Sequence, residues 1–300
     1  MEPQRQPLGD GRWHWQHGPI DLVIQAEGES AAVAAAHAAA WRRFGSVLAE
    51  LVAELPLLRR PVAAMPCPLD GPIAQRMWRA CAPLQAGFIT PMAAVAGAVA
   101  QELMACYQRP GISRAWINNG GDIALHLAPG HSVRVGLLAD IATFQPAQAQ
   151  GLLATDAQFT VQAHLPVRGV ATSGWRGRSF SLGIADSVTV LARTAAQADA
   201  AATVIANAVD APHAGIERRP ACELKDDSDL GAIPVTVAVP PLPAALVQQA
   251  LQRGVNEARR LQSAGLIWAA VLACQGRFAS VDNARAGRWL DAPASGSVLA

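Results

Sequence analysis

Between residues 115 and 192 the chain falls into short alternating segments separated by Gly, Pro and Asn, and this rhythm constrains the fold more than any other feature. Residues 115–118 and 123–127 flank NNGGD, residues 132–137 follow Pro129-Gly130, and 159–163, 169–173, 179–184 and 187–192 come next. Apolar side chains recurring with a period of two suit strands that bury a face. Turns this short favour antiparallel neighbours. Segments 159–163 and 169–173 are expected to pair with each other. At the N-terminus, 12–16 and 20–26 read as a hairpin around His17-Gly18-Pro19. At the C-terminus, 266–273 and 277–281 form another around Gln275-Gly276 and return to the sheet.

Helical stretches flank these strands. An alanine-rich helix is expected from about 30 to 58, with Ser30 as N-cap and Pro61 as its stop. A short helix covers 72–81. Thr90 and Pro91 resemble an N-cap and first-turn proline of a helix running to about 108. Its first half carries only small residues (Ala93, Ala94, Ala96, Gly97, Ala98), so a second backbone or a flat ligand can come close. Further helices cover 195–209 and 243–263. The charged stretch 212–232 reads as an exposed loop, and residues 283–300 as a disordered tail. No repeat or linker divides the chain, so the expectation is one α+β domain over residues 1–282, a mostly antiparallel mixed sheet with flanking helices.

Composition excludes several function classes. With 51% hydrophobic and 16% charged residues the chain can bury a sizeable core. A net charge of +1 gives no reason to expect nucleic acid or an anionic membrane surface. The five cysteines are widely spaced without a CxxC pair, which favours free thiols in a reducing compartment over zinc or disulfides. The N-terminus is polar, and residues 80–101 are interrupted by Pro83, Gln85 and Pro91, so neither a leader nor a membrane span is expected. These points lead to a soluble, cytoplasmic protein. The seven histidines form no HxH or HxxxH spacing, and the eight tryptophans are dispersed.

Four segments could carry chemistry. In NNGGD, the residues Asn118, Asn119, Gly120, Gly121 and Asp122 can form a backbone cradle for an anion or a carbonyl-rich ring, or simply a hairpin turn. In ATSG, the residues Thr172, Ser173 and Gly174 place hydroxyls and N–H groups at a strand end, with Arg176 and Arg178 following to grip phosphate; a solvated loop is the alternative. In ADAAAT, Asp199 and Thr203 share one helix face as hard oxygen donors suited to Mg2+, or Asp199 merely favours the helix dipole. The TPMAAVAGA helix is either a binding surface or close-packed core.

In this order, the stretches AGAVAQEL, NNGGDIAL, ATSG, SVTVLA and ADAAAT resemble the FAD:protein FMN transferase (ApbE-like) superfamily over roughly residues 90–209. They look closer to an archaeal and bacterial branch carrying TPMAAVAGA, NNGGDI and GRSFSLGIADSVTVLA than to the transferases themselves. The resemblance implies Asp199 and Thr203 as Mg2+ ligands, and Asn118 to Asp122 with Thr172 to Gly174 as the lining of an FAD, FMN or nucleotide site. Two family segments are absent. ITPMAAVAG replaces DFGGiaKG, so Ala96 stands where the lysine would be, and SFSLGIADS replaces the HixDPxTG stretch. The expected function is therefore a Mg2+-assisted enzyme, a relative of the transferases, acting on a flavin, nucleotide or related heteroaromatic phosphate. The alternatives are a non-catalytic flavin, pterin or cofactor carrier and a scaffold that packs residues 92–100 against a partner. A homo-oligomer stays open.

Overall fold

A computed structural model describes residues 2–137, 157–282, 290–291 and 298–299. The chain opens with strand β1 (Gln4–Pro7), β2 (Trp13–His17) and β3 (Ile20–Gly28), followed by helices α1 (Ser30–Ala53), α2 (Leu55–Leu58) and α3 (Pro72–Cys81). Helix α4 (Val95–Met104) leads into strands β4 (Ile112–Asn119), β5 (Asp122–Leu127), β6 (Ser132–Leu137), β7 (Ala157–Gln162), β8 (Gly169–Ser173) and β9 (Ser187–Ala192). Helix α5 (Ala195–Ala208) follows. Next come strand β10 (Glu217–Pro220), helix α6 (Ala221–Leu224), strand β11 (Pro234–Ala238), helix α7 (Ala244–Ser263) and the hairpin β12 (Ala269–Cys274) and β13 (Arg277–Val281).

Nine strands form one antiparallel sheet in the order β1-β2-β3-β4-β5-β8-β9-β12-β13. The fold is α+β, with helices α1, α3, α4, α5 and α7 covering one face and β6 and β7 packed on the other. Strand alternation divides the side chains between the two cores. Ala115, Ile117, Ala171, Val188 and Val190 face the helices, whereas Trp116, Ile123, Leu125, Val170 and Leu191 face Val133, Val135, Phe159 and Val161. Because both faces are covered, β9 is buried along its whole length. Among the described residues the one parallel pairing is β6 with Val298–Leu299, while Leu290–Asp291 pairs with β7. The rest of the expected tail lies outside the described residues.

Several local expectations are corrected. Strand β7 pairs with β6 in a separate small sheet, and β8 lies between β5 and β9, so 159–163 and 169–173 do not pair. Residues 179–184 form no strand, because the end of α5 takes their donors. Asn207 Oδ1 accepts from Leu182 N at 2.9 Å, and Val209 O accepts from Ile184 N at 2.8 Å. The long first helix breaks at Glu54, whose carboxylate instead accepts from Asp70 N and Gly71 N ahead of α3. Its N-cap is Glu29 rather than Ser30.

Thr90 caps nothing. Its hydroxyl donates to Asp229, and the chain runs through a 3-10 turn (Pro91–Ala94) before α4 begins. Helix α4 ends at Met104, and a 3-10 turn (Ala105–Tyr107) carries the helical run to position 108, as expected. Part of the stretch 212–232 is ordered as β10 and α6, held to the body by Asp229 and by an Arg59–Asp227 ion pair of 2.7 Å. Helix α4 is pinned to α1 and α3 through Glu102, which accepts from Arg43 Nε at 2.8 Å and Arg76 Nη1 at 2.7 Å.

Candidate functional site

At one end of the main sheet the four sequence segments meet. Asn118 and Asn119 close β4, Gly120 and Gly121 make a two-residue loop, and Asp122 opens β5 directly across from Asn119. Both glycines have positive φ (66° and 116°), which this tight turn requires and other residues resist. Asn118 Oδ1 braces the turn by accepting from Gly121 N at 2.7 Å. The hairpin reading and the site reading are therefore compatible, since the turn aims Asp122 inward.

Asp122 is 9% exposed, and its Oδ1 accepts from Thr172 N, at the end of β8, at 3.2 Å. Burial pushes its carboxyl up to about 7, opposed by the Thr172 amide and the positive charge of Arg178. Arg178 lies against the glycine turn: a β-carbon at Gly120 would stand 2.9 Å from its Nη1. The exposed loop after ATSG thus reaches back over NNGGD and sets a cation beside a buried acid.

Helix α5 supplies the third wall. It begins at the N-cap Thr194, whose Oγ1 accepts from Gln197 N at 3.3 Å. Asp199 then receives the Gly97 amide of α4 on Oδ2 at 2.9 Å, with the Ala96 amide also aimed at it. Its carboxyl is held well above the usual carboxylate range, first by burial and then by the charge of Asp122, against those two amides. The first turns of α4 and α5 touch closely enough that a β-carbon on Gly97 would sit 2.3 Å from Ala195 O. The small residues of TPMAAVAGA thus admit a second backbone here. Asn119 Nδ2 ties the turn to the same place by donating to Ala96 O at 3.1 Å. The buried Cys81 thiol also lies within reach of the Asp199 charge, which adds to burial in raising it.

The predicted residues play unequal parts. Asn118, Asn119 and Thr172 are engaged in holding the turn and strands; the Thr172 hydroxyl bonds Thr189 Oγ1 at 2.8 Å across β8 and β9. Gly174 packs on the backbone of Asp186, where a β-carbon would fall 2.3 Å from its carbonyl oxygen. Asp186 in turn accepts from Trp175 Nε1 at 3.3 Å and Gln275 N at 2.5 Å, fixing the start of the 174–178 loop. Asp122, Asp199 and Arg178 remain as the groups whose charge is not absorbed by the fold. Thr203, half-buried, lies one helical turn beyond Asp199. Sequence reasoning missed Gly97 and Ala96 as backbone donors, and no residue-type signal could have found them. Among the described residues no three His, Cys, Asp or Glu side chains cluster as a metal site. No described helix is long and apolar enough to cross a membrane.

The nine-stranded antiparallel sheet with its covering helices is an ApbE-like fold. The solved ApbE protein of Thermotoga maritima shares this fold, with a TM-score of 0.51 and 11% identity over 94% of this chain and 98% of that one. The chain belongs to the family described as AbpE bacteria, whose model matches residues 4–280. It is similar to the UPF0280 protein of Methanopyrus kandleri, 37% identical over 215 residues covering 69% of this chain and 78% of that relative. The UPF0280 protein of Methanosarcina acetivorans is 30% identical over 210 residues, 69% and 75% of the two chains. That of Methanospirillum hungatei is 40% identical over 120 residues, 40% of this chain and 45% of that relative, so the match spans under half of the latter's length.

Proposed function

We propose that this protein handles a flavin or related nucleotide, binding its phosphate-bearing end between the 118–122 turn, the 172–174 strand end and the start of α5. One observation carries the proposal: the carboxylates of Asp122 and Asp199 are each held by a backbone amide of a neighbouring element, the charge of the first reaches the second, and the guanidinium of Arg178 lies against the same turn. A fold does not bury two adjacent acids for stability, because their desolvation and repulsion oppose folding. Perturbed acids beside a specific charge partner are a mark of functional sites.

The donor set fits Mg2+, with hard oxygens from Asp122 and Asp199, Thr203 close by, and room in the coordination shell for ligand phosphates. When bound, the ion supplies Lewis-acid neutralisation of a diphosphate, the support the ApbE-like chemistry calls for. The chain's own residues have separable tasks. Arg178 contributes a charge-assisted bond to a phosphate oxygen, the amides of Ala96 and Gly97 hold Asp199 in place, and Asn119 ties the turn to α4. Incubation of purified protein with FAD, Mg2+ and a Ser- or Thr-bearing acceptor should release AMP. Asp199→Ala should abolish that release, and unchanged release in this variant would refute the proposal.

A second reading, binding without turnover, is favoured by position 96, where an alanine replaces the lysine of the related enzymes and contributes only its backbone. Isothermal titration with FAD and FMN separates the two readings. Tight binding without AMP release supports a carrier, and Arg178→Ala should weaken that binding by about tenfold or more.

A further inference from the structure

The opposite end of β5 and β8 holds a feature that the reading above does not use. The β5–β6 turn (residues 128–131) and the β7–β8 connection (residues 163–168) enclose a cleft of about 550 Å³. That volume falls within the range of small-molecule sites, roughly 300–1,000 Å³. The lining includes His131, His164, Arg168, Ser132 and Gln162, and no carboxylate among the described residues. Arg168 lies four residues from Thr172 along the strand, about 13 Å at ~3.3 Å per residue, so the cleft is separate from the Asp122 and Asp199 cluster.

Arg168 is held by three backbone carbonyls of its own connection. Its Nη1 donates to Leu165 O at 2.8 Å and Val167 O at 2.7 Å, and its Nη2 donates to Ala163 O at 2.8 Å. Three neutral carbonyls satisfy three of its five N–H groups and cancel none of its charge. No described carboxylate pairs with it, and burial disfavours its charged form. The β7–β8 connection thus closes around a guanidinium that keeps two donors and a whole positive charge at the wall of a cleft. Two exposed imidazoles, His131 from the β5–β6 turn and His164 from the β7–β8 connection, also line the cleft, and a hydroxyl and an amide complete the polar lining. Stapling a loop requires the carbonyl bonds, but it does not require an open cleft edged by two further basic side chains.

We propose that this cleft is a second ligand site, specific for a small molecule bearing a carboxylate or phosphate group that docks on Arg168 between His131 and His164. A planar guanidinium pre-set by its own backbone offers directional bonds to either oxyanion at little entropic cost.

The test is an imidazole nitrogen–proton NMR titration of the full chain with inorganic phosphate, with succinate in a second arm, and with sodium chloride at matched ionic strength as control. Saturable shifts at His131 and His164, with His17 unmoved, are expected for at least one oxyanion; whichever arm saturates identifies the ligand group. His131→Ala combined with His164→Ala changes only exposed side chains and should weaken that binding by about tenfold, while Asp199→Ala should leave it unchanged. This last comparison keeps the two proposals separately testable. Shifts that chloride reproduces, or none in either arm, would overturn the second site, as would binding that survives the double substitution.

Discussion

Replacing Gly97 with alanine sets two physical effects of opposite sign against each other. Within an exposed helix the change should stabilise, because alanine loses less backbone entropy than glycine, by about 0.5–1 kcal/mol. At this position the added methyl would stand 2.3 Å from Ala195 O and 2.6 Å from Ala195 C, where ordinary contact begins near 3.4 Å. The obstacle is main chain, so no rotamer change relieves it. Helices α4 and α5 must separate, which also stretches the Gly97 amide from Asp199. Overpacking of this kind typically costs about 1–3 kcal/mol, and weakening an amide bond to a carboxylate adds to it. Gly97→Ala should therefore destabilise by about 1–3 kcal/mol despite its better helix propensity.

Gly45, exposed in the middle of α1 with nothing within 4 Å of a built β-carbon, is the internal control. Gly45→Ala should stabilise by about 0.5–1 kcal/mol. Urea denaturation of the two variants beside the parent reads both signs. If Gly97→Ala equals or exceeds the parent in stability, the close packing of α4 on α5 is wrong, and so is the placement of Asp199.

Glu102 is raised by burial but more than compensated by Arg43 and Arg76, so its carboxyl lies below the ordinary range. A depressed acid contributes stability above its unfolded pKa of about 4.3, and that contribution is lost as pH falls through the folded value. Glu102→Gln should cost about 1–2 kcal/mol at pH 7, discounted for partial exposure, and the difference from the parent should shrink below about pH 4; a pH-independent difference in urea midpoints would contradict this. Among the cysteines, exposed Cys222 should be alkylated by iodoacetamide in the native state well before Cys81 and Cys274. Both of these are buried, and Cys274 is pushed up to about 12 by burial and the nearby Asp186 charge. Equal labelling of Cys274 and Cys222 by mass spectrometry would count against the packing of β12.

The elements best read from sequence are those with strong punctuation. Residues 72–81 lie between Gly71-Pro72 and a 3-10 turn, and the structure keeps those bounds. The NNGGD turn, the 187–192 strand and α5 were equally legible, because glycine pairs and a complete run of buried residues leave little choice. Pairing was not legible. Residues 159–163 and 169–173 alternate well enough to be neighbours, yet β7 belongs to a second layer because Phe159 and Val161 pack across the sheet against Trp116 and Leu125. The strand expected at 179–184 failed for a similar reason: Asn207 and Val209, far along the chain, capture the amides of Leu182 and Ile184. At the site, residue types pointed to Asp122 and Asp199, but backbone donors such as Gly97 carry no residue-type signature.

The account rests on Asp122 and Asp199, 77 positions apart in the numbering, sharing one cation-accepting pocket. Electron paramagnetic resonance of Mn2+ as a Mg2+ substitute, titrated into the chain with ADP present, measures this directly. One site per chain is predicted, lost in Asp122→Asn and lost equally in Asp199→Asn. Mn2+ binding that persists at parental affinity in either variant would contradict the account.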